Sequence, residues 1–358
     1  MVGGFAPVPT ETAMPSQPVI GIILVTLAGL LVGSGVWPIK LMRQFQFEHW
    51  WFCGMLTGLI ILPWSATLLL CPNALVALSK VPAGTIITAN LWAVGWGLAN
   101  VLCGLCFVRI GVALTGAILT GLGAAFGVTL PLIVKGSGLF RDAPDLDSAA
   151  GLTVLSGVGL MLLGVALAAA AGFGRERVQP RRAPNAGSFK GGLIMAAVAG
   201  VLSSGMGLAF VYGQGPIMRA MQDEGAGEIP ATFAVWAVGL LGGALVNLIY
   251  PLYLMTRNQS FGVLVRNWPE AALATVMGVN LAAGIVLMGG GMRWLGALGA
   301  SAGLGIQQVA QMLGGQALGF LSGEWRGVTG RPCRAMYAAI ACLILAAMIM
   351  AWGNTRPH

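Results

Sequence analysis

Charge is scarce in this sequence. Only 8% of its 358 residues are Asp, Glu, Lys or Arg, where soluble domains carry about 25%. So few charges cannot coat a soluble fold. Histidine is scarcer still: His49 and His358 are the two in the chain, which argues against a His-based metal or catalytic centre. All eleven acidic residues fall in the N-terminal tail, in loops or at the ends of apolar runs. With no HExxH and no nucleophile–base pair at membrane depth, the sequence points away from a membrane enzyme. No cofactor and no metal are expected. The six cysteines, Cys53, Cys71, Cys103, Cys106, Cys333 and Cys342, make no disulfide framework. Cys103-x-x-Cys106 has no His, Asp or second pair beside it, so it reads as two packing thiols. Residues 1–17 carry one charge, Glu11, and no basic n-region. They read as a short flexible tail rather than a signal peptide.

What the sequence does have is apolar length. Hydrophobic residues make up 57% of it, and Gly alone accounts for 55 positions, which suits close helix packing in lipid. Apolar runs fall at about 18–39, 49–71, 84–108, 111–134, 148–173, 190–214, 231–255, 269–291, 294–321 and 333–353, each close to the roughly 20 residues a bilayer requires. Backbone groups find no water in lipid, so these runs must be helices. The expected fold is therefore an all-α membrane protein of ten transmembrane helices.

Thirteen of the nineteen Lys and Arg residues sit in the loops after spans one, three, five, seven and nine, Lys40, Arg109 and Arg175 among them. The positive-inside rule puts those loops in the cytoplasm and both termini outside. It also accounts for the net charge of +8 without nucleic acid as a partner. Asp142, Asp145 and Asp147, with Asp223 and Glu224, then face outward.

The basic loop 174–189, with Pro180 and Pro184, reads as a cytoplasmic linker between halves 18–173 and 190–353, with a C-terminal tail at 354–358. Five spans per half means that the second half is inserted upside down. Weak self-similarity supports a repeat. Ala28-Gly29-Leu30-Leu31 resembles Ala199-Gly200-Val201-Leu202, and Arg109, Ala113, Leu114 and Gly121 recur at the same spacing as Arg293, Ala297, Leu298 and Gly305. Inverted repeats commonly hold a substrate site near the midplane. Pro38 and Pro131 near span ends and Pro63 within span two can bend helices. Gly123-x-x-x-Gly127 and Gly299-x-x-x-Gly303 allow close contact.

Several short segments are familiar. They are Pro38-Ile39-Lys40; Phe47-Glu48-His49-Trp50-Trp51; Ile61-Leu62-Pro63-Trp64; Pro72-Asn73; and Trp96-Gly97-Leu98-Ala99-Asn100 with Gly104, Arg109 and Gly111. Ser203-Ser204-Gly205-Met206 and Glu324-Trp325 with Gly330-Arg331-Pro332 complete the set. In this order and spacing the chain resembles the L-rhamnose–proton symporter family of the drug/metabolite transporter superfamily. The resemblance implies ten spans, outside termini, a bacterial-type inner membrane, and a neutral deoxysugar and protons as cargo. The chain departs from the family in span nine, which reads Gly303-Leu304-Gly305-Ile306-Gln307-Gln308-Val309-Ala310-Gln311 where the symporters carry polar aromatic and acidic residues. That departure keeps a second reading open: a superfamily transporter of another small metabolite such as an amino acid, uncoupled or exporting.

A neutral sugar needs hydrogen-bonding amides and flat apolar faces. Trp92, Trp96 and Asn100 stand at i, i+4 and i+8, on one face of span three. Gln307 and Gln311 share a face of span nine with Gln308 beside them, and Asn280, Asn247 and Tyr250 are further candidates. Each has a competing role. A membrane amide often only ties neighbouring helices, and Trp92 can be an interfacial anchor. Glu48 and His49, at the mouth of span two, are the adjacent titratable pair nearest a plausible proton path.

Overall fold

The computed structural model describes residues 18–133, 145–178, 188–295 and 302–353. The expected tails at 1–17 and 354–358, the centre of the linker (179–187), Asp142 and Gly299 lie outside the described residues.

Among the described residues there is no strand. The helices run in order α1 (Pro18–Ser34), α2 (Phe47–Met55), α3 (Leu62–Leu70), α4 (Ala74–Lys80), α5 (Ala83–Arg109), α6 (Val112–Ile133) and α7 (Ala149–Val178). They continue with α8 (Phe189–Ser203), α9 (Gly205–Asp223), α10 (Glu228–Ala234), α11 (Leu241–Asn258), α12 (Phe261–Arg266), α13 (Trp268–Trp294), α14 (Leu304–Leu321) and α15 (Arg331–Gly353). Seven of these stretches are long and apolar enough to cross a membrane, and the bent pair Glu228–Gly239 and Leu241–Arg257 makes an eighth. α14 is not among them; four glutamines in its 18 residues (Gln307, Gln308, Gln311 and Gln316) lower its hydropathy. The protein is an all-α membrane protein.

Two helices are interrupted by π-turns. Leu56–Ile61 joins α2 to α3, and Val235–Gly239 leads from α10 toward α11. The first has a cause in the sequence. Pro63 opens α3, has no N–H, and crowds the carbonyl one turn earlier, so the ladder widens just upstream. The second precedes a 54° bend in the helix axis. The two π-turns touch one another.

Bulky aliphatic residues point outward: Leu69, Val265 and Leu321 are among the most exposed. Glycine and alanine fill the helix contacts. A Cβ on Gly29 would lie 2.2 Å from the carbonyl oxygen of Gln307, and one on Gly33 would lie 2.0 Å from that of Gln311. Small residues that let backbones meet are the usual cement where lipid removes the hydrophobic drive between helices. Gly123 packs on Ser203 and Gly127 faces Leu304.

α1 lies between α13 and α14, and α5 lies against both α8–α9 and α11. α6 packs on α8, α7 and α14, α2 on α11 and α13, and α7 runs along α15. Hydrogen bonds gather Lys40, Glu48, Ile110, Arg175, Asn258, Glu270 and Glu324 at one end of the bundle, here called the basic end. Asn73, Lys80 and Glu224 meet at the opposite end.

Candidate functional site

A cavity of about 180 Å³, the space open to the centres of water molecules, lies among α1, α2, α5, α6, α8, α9, α13 and α14. It has room for on the order of ten waters. Its lining runs from Val36, Trp50 and Phe107 near the basic end to Ser203 and Met206 at the break between α8 and α9 and to Met288 of α13. Among the described residues, none of the lining side chains carries a charge.

The structure brings together Trp96, Asn100, Gln307, Gln308 and Gln311, which all line this cavity. Gln307 is buried, and its Nε2 donates to Gln311 Oε1 at 3.2 Å. The Oε1 of Gln307 is buried without a donor. Among the described residues the side-chain amides of Asn100 and Gln308 have no hydrogen-bond partner. A polar group left so costs about 1–3 kcal/mol unless water or a ligand meets it. Trp96 is buried and meets Trp236 edge-on, ring centroids 6.3 Å apart.

The remaining candidates stand elsewhere. Trp92 is 43% exposed and outside the lining. Each four-residue step along an α-helix advances about 40° around its axis, so Trp92 and Asn100 diverge by two such steps. Asn280 donates from Nδ2 to the carbonyl of Gly35 at 3.3 Å, meeting an orphan carbonyl just past α1. Asn247 is fully buried. It accepts from Trp51 Nε1 at 3.0 Å and donates to the Gly243 carbonyl at 2.8 Å. It acts on the cavity only by holding Trp51, which lines it. Tyr250 packs against Phe47, 6.3 Å between centroids.

Glu48 and His49 are buried at the start of α2, next to the lining residues Trp50 and Trp51 but outside the cavity wall. Glu48 Oε1 accepts from Asn258 Nδ2 at 2.9 Å and from Ser260 Oγ at 3.4 Å. His49 accepts the backbone N–H of Gln46 at Nδ1, 3.1 Å, and pairs through Nε2 with the Ser260 carbonyl, 3.1 Å. The latter requires the proton on Nε2.

Sequence reasoning missed two features. Trp50, Trp51 and Trp236 supply much of the aromatic wall, yet a tryptophan near the start of a span reads equally as an interfacial anchor. The second is the ion cluster at the basic end. Glu324 pairs with Lys40 at 2.9 Å and with Arg175 at 3.1 Å, and Arg175 also donates to the Ile110 carbonyl at 3.0 Å and covers the Trp325 ring. Glu270 accepts the backbone N–H groups of Arg43, Gln44 and Phe45 at 2.7–3.1 Å, holding that loop on α13.

A bundle of apolar helices around an uncharged, amide- and tryptophan-lined hollow defines a helical membrane protein of the solute-carrying class. The chain belongs to the L-rhamnose-proton symport protein family, whose match spans residues 14–356. It is 26% identical over 334 residues to an L-rhamnose-proton symporter of Yersinia pestis bv. Antiqua (strain Antiqua), covering 88% of this chain and 92% of the relative. It shares the same identity and coverage with an L-rhamnose-proton symporter of Yersinia pseudotuberculosis serotype O:1b (strain IP 31758), over 335 residues. The family is one of symport transporters, not enzymes.

Proposed function

We propose that this chain carries a neutral sugar of the L-rhamnose type, coupled to protons, by alternating access between two inverted five-helix halves in a bacterial-type inner membrane. The observation that carries the reading is the cavity. Its walls offer indole faces for the C–H surface of a sugar and unpartnered amides for its hydroxyls, with no charge to demand a counter-ion. The names of the relatives agree with it.

The two-halves reading is supported by packing. Take α1 with α8–α9, α2–α3 with α10–α11, α5 with α13, α6 with α14 and α7 with α15 as counterparts. The neighbour pairs then map onto one another: α1 on α14 answers α8 on α6, α1 on α13 answers α9 on α5, and α2 on α13 answers α11 on α5. Both α2–α3 and α10–α11 carry a π-turn. Gly29 abuts Gln307 of α14 and its counterpart Gly200 abuts Leu122 of α6. The positive-inside rule makes the basic end cytoplasmic. Glu48 and His49, one step from Trp50 and Trp51, are the proton-coupling groups in this reading.

Purified protein in liposomes is expected to take up labelled L-rhamnose and to stop when the pH gradient is collapsed. Asn100→Leu or Gln308→Leu is expected to weaken binding about tenfold, the loss of roughly one hydrogen bond. No uptake or binding across a panel of deoxyhexoses, pentoses and hexoses would rule out the sugar reading.

The glutamines of α14, standing where the family's symporters carry polar aromatic and acidic residues, favour a second reading in which the cargo is another small metabolite such as an amino acid, carried without coupling or exported. A thermal-shift panel across metabolite classes separates the two.

A further inference from the structure

A second, smaller hollow of about 30 Å³ lies beyond the first, toward the opposite end of the bundle. Phe210 and Gln214 of α9, Thr232 of α10, Met292 of α13 and Leu304 of α14 line it. Met206, Trp236 and Met288 line both hollows, so these three side chains form the partition between them.

Gln214 gives the second hollow its chemistry. It is 9% exposed, and among the described residues its amide has no hydrogen-bond partner. An amide in that position is unfavourable by about 1–3 kcal/mol if left dry, and leucine or methionine would fill the space without that penalty. Thr232 adds a hydroxyl. Its proton goes to the Glu228 carbonyl at 3.0 Å, which leaves its oxygen free to accept. An aromatic row leads across the partition: Trp96 meets Trp236, and Trp236 meets Phe210 edge-on at 4.9 Å. As it stands the second hollow admits about two waters, too few to make room for a sugar.

The partition is built from movable parts. Met206 and Met288 have unbranched, flexible side chains. Trp236 sits on the π-turn Val235–Gly239, just before the 54° bend, and π-turns are common where a helix must change at a working site.

We infer that the smaller hollow is a second station for the same neutral, hydroxylated solute, closed here, with Gln214 as its polar anchor and Met206, Trp236 and Met288 as the barrier to be crossed. The inference rests on the sugar-carrier reading above, and the test separates the two.

The full chain is purified and reconstituted, equilibrium binding of labelled L-rhamnose is measured on the protein in detergent, and uptake is measured in liposomes. If the unaltered protein neither binds nor carries the sugar, the carrier reading fails before this one is reached. If it does both, Gln214→Met, close in size but without the amide, is expected to keep its dissociation constant within twofold and lose about tenfold in uptake rate. Uptake within twofold of the parent overturns the second station. Met206→Ala thins the barrier without touching Gln214 and is the independent arm if Gln214→Met does not fold. It is expected to speed uptake at least twofold, and unchanged or slower uptake overturns the barrier.

Discussion

The indole N–H of Trp51 donates to Oδ1 of Asn247, 3.0 Å away across the contact of α2 and α11. The bond is fully buried, and its two residues are 196 positions apart in sequence. It fixes one wall of the central cavity from behind. Asn247→Leu strands the indole N–H, a loss of about 1–3 kcal/mol. The expected result is a lower melting temperature in detergent together with weaker sugar binding. The Asn247→Leu/Trp51→Phe double variant should lose less stability than the sum of the two single losses, since both remove the same hydrogen bond.

Gly33 makes a backbone contact that no side chain can share. Its missing Cβ would stand 2.0 Å from the carbonyl oxygen of Gln311. Gly33→Val is expected to push α1 off α14 and abolish folded protein on size-exclusion chromatography. Gly84→Ala, at a position with open space around it, should be tolerated.

Glu324 is the hub of the basic end. Its partner Arg175 is 4% exposed, whereas Lys40 is 35% exposed. Glu324→Ala leaves the guanidinium buried without its carboxylate, which costs about 3–5 kcal/mol. Lys40→Ala removes only a solvent-screened contact worth up to about 1 kcal/mol. Thermal unfolding of the two variants should rank them in that order.

At the opposite end, Glu224 accepts hydrogen bonds from Lys80 and Asn73. Its bond with Lys80 holds the carboxyl below the usual carboxylate value and the ammonium above the usual lysine value. The contribution of Glu224 is complete above its unfolded pKa of 4.5 and fades as pH falls through the lower folded value. That of Lys80 is complete below 10.5 and fades as pH rises beyond it. The tie is therefore intact between those limits, and because the Lys80 side chain is 56% exposed, solvent screening keeps the effect small. Glu224→Gln should flatten the acid limb of a melting-temperature profile below pH 4.5, and an unchanged limb would refute the assignment.

Hydropathy located most of the helices to within a few residues, because lipid leaves the backbone no other way to satisfy its N–H and C=O groups. Its errors are instructive. The sequence reads span five as ending at about 173, but α7 runs on to Val178. Arg175 can stay helical and buried because Glu324 neutralises it from 149 residues away, a partner invisible to any local window. The π-turns carry no compositional signal beyond Pro63.

Within the cavity, Asn100 and the three glutamines were legible because amides in an apolar helix require a partner, and Trp96 because it offers a flat face one turn before Asn100. Asn247 and Asn280 obey the same rule, yet they found their partners in Trp51 and Gly35 rather than in the hollow. Sequence alone cannot separate a tie from a ligand contact when the deciding atom lies on another helix.

The glycine seam between α1 and α14 has a mechanical consequence. Where peptide planes lie directly on one another at Gly29, Gly33 and Gly314, no flexible side chain can bend to absorb a shift. Neither helix can slide without first lifting off the other. A movement of the two halves that parts this seam therefore carries the glutamine row away from the backbone of the first helix and redraws that wall of the hollow.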